Sequence, residues 1–195
     1  MLFRSAEGAQ VINDISGLRY DPALAAVVSA ERAVLVLMHN RGRSKTMYAD
    51  SDYGDVVTEI ARELQESLSV AVSGGISLER LIVDPGIGFA KRPLHSYVVL
   101  ARLSELTAAL ERPVLVGPSR KSFMREALEN RLPADRDWGT AAAVTAAVLG
   151  GAHIVRVHAV REMAEVARVA EEIRRATLCG LDPDPGESET GRELA

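Results

Sequence analysis

A dense group of polar side chains follows a short apolar run at residues 113–123, PVLVGPSRKSF. Apolar and small residues open the run, and the residues that follow them are Ser119, Arg120, Lys121 and Ser122. Ligands of parallel α/β sheets bind at the carboxyl ends of the strands, so this pattern places donors and positive charge at such an end. Four donors in four positions favour a small-anion site over an ordinary solvated lysine.

Two other apolar runs end in polar side chains. Asp84 follows residues 81–83, LIV, and precedes PGIG, a turn sequence that stops a strand and leaves the carboxylate at its end. Arg156 and His158 alternate with valines, and the period of two in a strand sends both polar side chains to one face. We expect Arg156 to be buried on that face, where it needs a bound oxyanion or an internal carboxylate as its partner.

The elements that must position these residues are short apolar runs alternating with longer amphipathic patterns, which is typical of parallel βα units. The predicted strands are residues 11–15, 33–38, 80–83, 114–116 and 153–157. Apolar residues at helical spacing predict helices at residues 55–73, 100–110, 140–149 and 163–173. Because right-handed βα connections place sequential strands side by side, we expect five parallel strands in sequential order.

At the carboxyl end of this sheet we expect five polar residues to meet: Asn13, Asp84, Lys121, Arg156 and His158. Asn13 and Asp84 end different strands and together suit a flat heterocycle that carries an N–H and an amino group, because a carboxylate can accept from two such donors at once. Other polar residues are expected to be structural: Asp14, His39, His95 and His153. Thr140 is predicted to lie near a helix N-cap.

Composition limits the class of protein. A length of 195 residues with 47% hydrophobic content is enough for one domain with a sizeable core, which we predict at residues 1–178. Residues 179–195 have repeated Pro and Gly and no apolar period, so we predict a disordered tail.

Charge and cysteine content exclude several functions. A net charge of −4 argues against nucleic acid as a partner, because neutralising phosphates needs a basic face. The local basic clusters at Arg120–Lys121 and Arg41–Arg43 suit a small anion better. The single cysteine, Cys179, cannot form an internal disulfide, and no signal peptide or run of about 18 apolar residues is found. We therefore expect a cytoplasmic protein that binds neither nucleic acid nor membrane.

These segments, together with INDISG at residues 12–17 and LMHNRG at residues 37–42, resemble dihydropteroate synthase of the pterin-binding family. The resemblance runs from about Gly8 to about Thr177. It implies an α/β fold, a partial TIM (β/α)8 barrel that retains strands 4–8, since such a barrel typically takes about 250 residues. The family's three earlier strands, with their NVTPDSF and GGESTRP loops, have no counterpart here, so we expect the isolated chain to be a poor catalyst.

The resemblance implies a transferase of folate biosynthesis. Its substrates would be the small molecules 6-hydroxymethyl-7,8-dihydropterin diphosphate and p-aminobenzoate, and its products 7,8-dihydropteroate and diphosphate. Mg²⁺ would be the cofactor, with its family ligand outside this sequence and no metal ligand within it. The resemblance also allows a homodimer of the complete enzyme.

Each matching residue receives an implied role. The family's pterin contacts match Asn13, Met38, Asp84, Phe89, Gly117 and Lys121, and its pocket also includes Ser119. The p-aminobenzoate contacts match Lys121 and Ser122, and the diphosphate contacts match Arg156 and His158. Catalytic roles would fall to Lys121, Arg156 and His158. Ala159 stands where the family pattern has Asp, so the carboxylate beside His158 is missing.

Two alternatives stay open. A pterin-dependent methyltransferase would share Asn13 and Asp84 but would not need the diphosphate grip that Arg156 and His158 offer. A non-catalytic, truncated remnant of the synthase would keep the same residues without turnover.

Overall fold

A computed structural model describes residues 8–21, 23–42 and 51–179, so most of the predicted tail lies outside the described residues. The strands are β1 (Val11–Asp14), β2 (Val34–Met38), β3 (Leu81–Asp84), β4 (Leu115–Val116) and β5 (Ile154–Val155). The α-helices are α1 (Leu24–Ala30), α2 (Val56–Ser73), α3 (Pro93–Ala101), α4 (Leu103–Leu110), α5 (Asp137–Leu149) and α6 (Val160–Cys179). Short 3-10 helices lie at Leu78–Arg80, Ser122–Met124 and Pro133–Asp135.

All strand pairings among the described residues are parallel. β1, β2 and β3 form a three-stranded sheet, β4 pairs with β5, and a bridge between Val83 and Val114 joins the two groups. The predicted sequential order of parallel strands is therefore confirmed. Between the strands lie the helices of βα units, which makes the fold α/β.

The two faces of the sheet differ in what they bury. Leu35 and Leu37 of β2 and Leu81 and Val83 of β3 are buried in the main core beneath the helices. By the period of two, their alternating neighbours point the other way, and the register pairs Met38 with Asp84 on that opposite face. The sheet thus separates an apolar face from a face that carries polar side chains at its carboxyl end.

Local signals explain where α2 begins and ends. Asp55 is its N-cap, with a carboxylate that accepts a hydrogen bond from the Thr58 N–H, and Gly74 is its C-cap.

Within the described residues, neither this helix nor any other is long and apolar enough to cross a membrane.

The predicted single helix at residues 100–110 is wrong. The chain forms two helices there, α3 and α4, which meet at Arg102. The Arg102 side chain binds Glu105 in the first turn of α4 and makes a tertiary contact with Asp55, the N-cap of α2. Leucine spacing continues across the break because Leu100 and Leu103 both face the core, so the pattern did not reveal it. The short helix α1 was not predicted.

The turn after β3 requires glycine at one position. Gly86 has a φ of +68°, and a Cβ there would lie 2.0 Å from the backbone oxygen of His39. The turn therefore crosses the end of β2 in backbone contact. This close approach fixes where Asp84 and the residues after it lie relative to β2.

Gly86→Ala should destabilise the fold strongly, because it adds a backbone clash to a left-handed conformation that costs an L-residue roughly 1–2 kcal/mol. We expect the free energy of unfolding, measured by urea denaturation, to fall by about 3 kcal/mol or more. Gly54→Ala is the matched control, since its new methyl group would meet only a Glu59 carboxylate oxygen at 3.5 Å. Similar losses in both variants would contradict this account of the turn.

Candidate active site

Loops from three neighbouring strands meet at the carboxyl end of the sheet. The Lys121 ammonium, after β4, lies 3.7 Å from the centre of the Phe89 ring, after β3. A methyl group at Gly117 would lie 2.9 Å from a guanidinium nitrogen of Arg156, after β5. The sequence therefore predicted correctly that Asp84, Lys121 and Arg156 share one end of the sheet.

Asp84 is a buried carboxyl with one fixed oxygen. The residue is only 1% exposed, and Oδ1 accepts a hydrogen bond of 2.7 Å from the Gly86 N–H. Burial raises the pKa of Asp84 to about 6, although the Gly86 N–H and the charges of Arg156, Lys91 and Lys121 act in the opposite direction. No described residue donates to Oδ2, so this carboxylate keeps acceptor capacity for a ligand.

Lys121 is a partly desolvated cation. Desolvation, followed by the nearby charge of Arg156, lowers its pKa to about 8, while Asp84 raises it. The ring of Phe89 stabilises the ammonium through its π face. At neutral pH Lys121 is still mostly protonated and can donate to a carbonyl or a carboxylate.

The backbone at Arg120 and Lys121 is held by the start of α5. Arg120 has a φ of +58°, and its N–H donates to Thr140 Oγ1 at 3.1 Å. The buried guanidinium of Arg136 donates to the carbonyl oxygens of Arg120 and Lys121. The Arg120 guanidinium itself forms two hydrogen bonds with Asp137. The expectation that Arg120 serves a small anion is therefore wrong, because a carboxylate already pairs with it.

Thr140 was predicted to lie near a helix N-cap, and it lies in the first turn of α5, four residues after the N-cap Arg136. The helix begins at Asp137, and the Thr140 hydroxyl donates to the Arg136 carbonyl while accepting from the Arg120 N–H. Sequence reasoning also missed Arg136 and Asp137. The crowding of charge in RDWGT was the available signal, but their partners lie 15 to 17 residues away in the chain.

Ser119 holds His158 across the β4–β5 pair. Its hydroxyl accepts from the His158 N–H at 3.2 Å and lies 2.8 Å from His158 Nδ1. Because Ala159 stands where the family pattern has Asp, the sequence showed no hydrogen-bond partner for His158. Ser119 supplies that partner.

Arg156 is exposed, so the expectation that it is buried is wrong. β5 is the last strand in the described order and forms an edge of the sheet. Ile154 on this strand is 39% exposed, so the edge is open to solvent among the described residues. Within the described residues, no carboxylate forms an ion pair with Arg156, so the alternative of an internal partner finds no support there.

The remaining sequence-predicted residues lie at different depths. Met38 is buried and pairs in register with Asp84, whereas Asn13 lies one strand further away, opposite Val36, and is exposed. Ser122 is exposed and begins a 3-10 helix. Asp14 is structural as expected, since its carboxylate accepts from Ser16 and Leu18.

The chain matches a known protein family along most of its length. Residues 4–158 match the family described as pterin binding enzyme. The chain belongs to this family.

Relatives in the pterin binding enzyme family include a dihydropteroate synthase of Synechocystis, 43% identical over 168 residues that cover 86% of this chain. A crystal structure of Yersinia pestis dihydropteroate synthase with a sulfonamide drug superposes with a TM-score of 0.83 at 38% identity, covering 88% of this chain. The Thermus thermophilus enzyme in complex with 6HMPPP gives 0.79 at 38% identity and covers 85%. This chain spans 58%, 62% and 65% of those three chains.

Beneath the site of this pterin binding family member lies a buried polar chain that sequence reasoning missed. Lys91 Nζ is 2.9 Å from His39 Nδ1, and His39 Nε2 is 3.1 Å from Glu63 Oε2. Arg41 in turn donates to Glu63 and Glu59. The predicted anion cluster at Arg41 and Arg43 is therefore wrong for Arg41, while Arg43 lies outside the described residues.

Replacing Thr140 should loosen the Lys121 loop. Thr140→Val keeps the shape of the side chain but leaves the Arg120 N–H without its acceptor, so we expect a loss of about 1 kcal/mol or more in the free energy of unfolding. Thr145→Val is the matched control on α5, because its hydroxyl donates only to the Ala141 carbonyl. Urea denaturation of both variants measures the difference, and equal losses would contradict the role given to Thr140.

The raised pKa of Asp84 predicts a sign for the pH dependence of stability. Between its ordinary value of 3.8 and about 6, the folded chain holds a proton that the unfolded chain has released. The contribution of Asp84 to the free energy of unfolding must therefore fall as pH rises through this window, with a slope of up to about 1.4 kcal/mol for each increase of one in pH.

Asp84→Asn should remove that decline. Carboxyls with lowered pKa values, such as Glu63, act in the opposite direction but are common to both proteins and cancel in the difference. Urea denaturation across the window measures it, and parallel profiles of wild type and variant would show that Asp84 titrates normally.

Proposed function

We propose that this chain carries the substrate-binding end of a dihydropteroate synthase, which joins 6-hydroxymethyl-7,8-dihydropterin diphosphate to p-aminobenzoate. In this proposal β1–β5 correspond to strands 4–8 of a TIM barrel. The observation that carries it is the convergence of a buried carboxylate, a partly desolvated lysine and an exposed Arg-x-His pair at one end of a parallel sheet. Family membership supports the assignment.

Asp84 would bind the pterin ring. With Oδ1 held by the Gly86 N–H, the carboxylate cannot rotate freely and presents its acceptors in one direction. A ring N–H and an adjacent amino group match a carboxylate in bidentate geometry. Met38, beside Asp84 in the register, would contact the ring as an apolar surface, and Asn13 on the same face would add a further hydrogen bond.

Arg156 and His158 would bind the diphosphate. The Arg156 guanidinium touches Gly117, where there is no side chain to hold it away from β4, and Ser119 fixes the imidazole of His158. Breaking the C–O bond to the diphosphate leaves a pterin methylene cation, which the p-aminobenzoate amine attacks as it forms the C–N bond and releases a proton. The two side chains would stabilise the negative charge that develops on the leaving group.

Lys121 and Ser122 would position p-aminobenzoate. The Lys121 ammonium, stacked on Phe89, would donate to the pterin carbonyl or to the second substrate, and Ser122 would donate to the p-aminobenzoate carboxylate. Catalysis on this arrangement depends on alignment of two substrates more than on proton transfer.

Three further parts of the proposal come through the resemblance alone. They are the Mg²⁺ cofactor, the homodimer and a cytoplasmic location. The described residues contain no group of three or more His, Cys, Asp or Glu that could hold a metal ion.

Binding measurements on the purified chain test the division of roles. Asp84→Ala should weaken binding of 6-hydroxymethyl-7,8-dihydropterin with or without its diphosphate, whereas Arg156→Ala should weaken mainly the diphosphate form. Each variant loses a charge-assisted contact of about 1.5–3 kcal/mol, equivalent to roughly 10- to 150-fold in Kd by calorimetry. Arg161→Ala, an exposed neighbour on α6, is the control.

The outcomes distinguish the alternatives. Equal losses on the bare pterin for Asp84→Ala and Arg156→Ala would contradict the proposed roles. A chain that binds pterins but ignores the diphosphate would favour a pterin-dependent methyltransferase. A chain that binds both substrates yet forms no 7,8-dihydropteroate would be a non-catalytic binding protein.

A further inference from the structure

Lys91 is the largest fully buried side chain among the described residues, at 2% exposure. A buried ammonium is costly unless hydrogen-bonded or paired, and lysine is rarely found in such a place. Nothing in the proposed reaction uses this residue. Its burial must therefore be explained by its contacts.

The contacts of Lys91 are to uncharged groups. Nζ donates to the Phe89 carbonyl at 3.1 Å and lies 2.9 Å from His39 Nδ1. A methyl group at Gly86 would lie 3.5 Å from the same Nζ, so the ammonium sits against the turn that follows Asp84. No described carboxylate forms an ion pair with Lys91 at contact distance.

The direction of the hydrogen bonds is determined by Glu63. Hydrogen bonds from His39 and Arg41, against the opposing effect of burial, hold the pKa of Glu63 well below its usual range, so its carboxylate only accepts. His39 Nε2 must then donate to it. Burial and the charge of Lys91 lower the pKa of His39 to about 3, so its ring is neutral and Nδ1 accepts from Lys91.

This chain of donors joins three elements beneath the site. Glu63 lies on α2, His39 follows β2, and the Phe89 carbonyl belongs to the turn after β3. Phe89 also stacks on Lys121, and its N–H donates to the carbonyl of Gly86, whose own N–H donates to Asp84. The position of Phe89 therefore bears on both Asp84 and Lys121. Among the described residues, Lys91 is the side chain that joins His39 of the polar chain to the Phe89 carbonyl of the turn by hydrogen bonds.

We propose that Lys91 is a positioning residue for the pterin site: its ammonium holds the turn after Asp84 through the Phe89 carbonyl, and its charge favours the ionised carboxylate that a pterin requires. The inference rests on the proposed function. It adds to that function a residue that touches no substrate and acts through Asp84.

Several charges face this pair. Arg156 after β5 and Lys121 after β4 act on Asp84 together with Lys91. On Lys91 itself, burial lowers the pKa to about 7; Asp84 and Glu63 raise it, while Arg41 and Lys121 lower it. Removing Lys91 leaves the other cations in place, so its own effect can be measured.

Carbon-13 NMR of the ligand-free chain can follow the Asp84 carboxyl directly. Lys91→Met replaces the ammonium with an apolar side chain of similar length and should raise the titration midpoint of Asp84 by about one pH unit or more, since a nearby opposite charge is worth that much. Arg92→Met, an exposed neighbour paired with Asp52, should leave the midpoint unchanged. An unchanged midpoint in Lys91→Met would overturn the proposal.

Binding of 6-hydroxymethyl-7,8-dihydropterin supplies the second readout. Lys91→Met should weaken binding roughly tenfold near pH 6 and less near pH 9, where Asp84 is ionised in both proteins. Equal losses at the two pH values would indicate a merely structural role and overturn the proposal. If wild type binds no pterin, the proposed function fails, while the carboxyl titration still decides whether Lys91 acts on Asp84.

Wild type alone provides a test that does not depend on a variant folding. Nitrogen-15 NMR should find His39 neutral and protonated at Nε2 from about pH 5 to 8, consistent with its lowered pKa. An Nδ1–H tautomer or an imidazolium in that range would mean that Lys91 does not donate to His39, and the proposal would be wrong.

Discussion

The ionisation of a fully buried carboxyl is the constraint on which this site depends. Asp84 loses its hydration at the end of β3, and the loss is only partly offset by one backbone N–H and by three cations from different segments, so its pKa is still raised. Lys91 follows the turn after Asp84, Lys121 follows β4 and Arg156 follows β5. Only parallel strands in sequential order bring these segments to a common end, so the topology of the sheet and the charge state of Asp84 are linked.

Gathering cations around one carboxylate creates repulsion among them. The charge of Arg156 helps to lower the pKa of Lys121, and Lys121 has the same effect on Lys91. The surroundings reduce this cost with groups that carry no net charge: the Phe89 ring, the His39 imidazole and the Phe89 carbonyl. An excess of positive charge remains at the exposed edge, and a multiply charged anion would relieve it.

The sequence predicted the strands and the ends at which polar residues lie, because apolar runs that stop at turn residues are local signals. Asp84, Lys121 and Arg156 were found in this way. The break at Arg102 escaped prediction because leucines continue on both sides of it, facing one core. The burial of Arg156 was overestimated because exposure depends on what lies beside β5, which no local pattern encodes.

Residues whose roles come from distant partners were the hardest to predict. The partners of Arg136 and Thr140 lie on another loop. The role of Lys91 becomes visible only when the structure shows it buried against His39. In the sequence alone, each of these is an ordinary polar residue. Their importance arises when the backbone brings loops together, as at Gly86, where the turn touches β2 with no room for a side chain.

The hydroxyl that holds His158 differs in kind from the carboxylate that the family pattern places at Ala159. A carboxylate can only accept, so it favours an imidazole that offers a proton. The Ser119 hydroxyl can rotate, so it can donate to an unprotonated Nδ1 or accept from a protonated one. In either case it still accepts a hydrogen bond from the backbone N–H of His158. The imidazole is thus kept in one orientation whether or not Nδ1 carries a hydrogen.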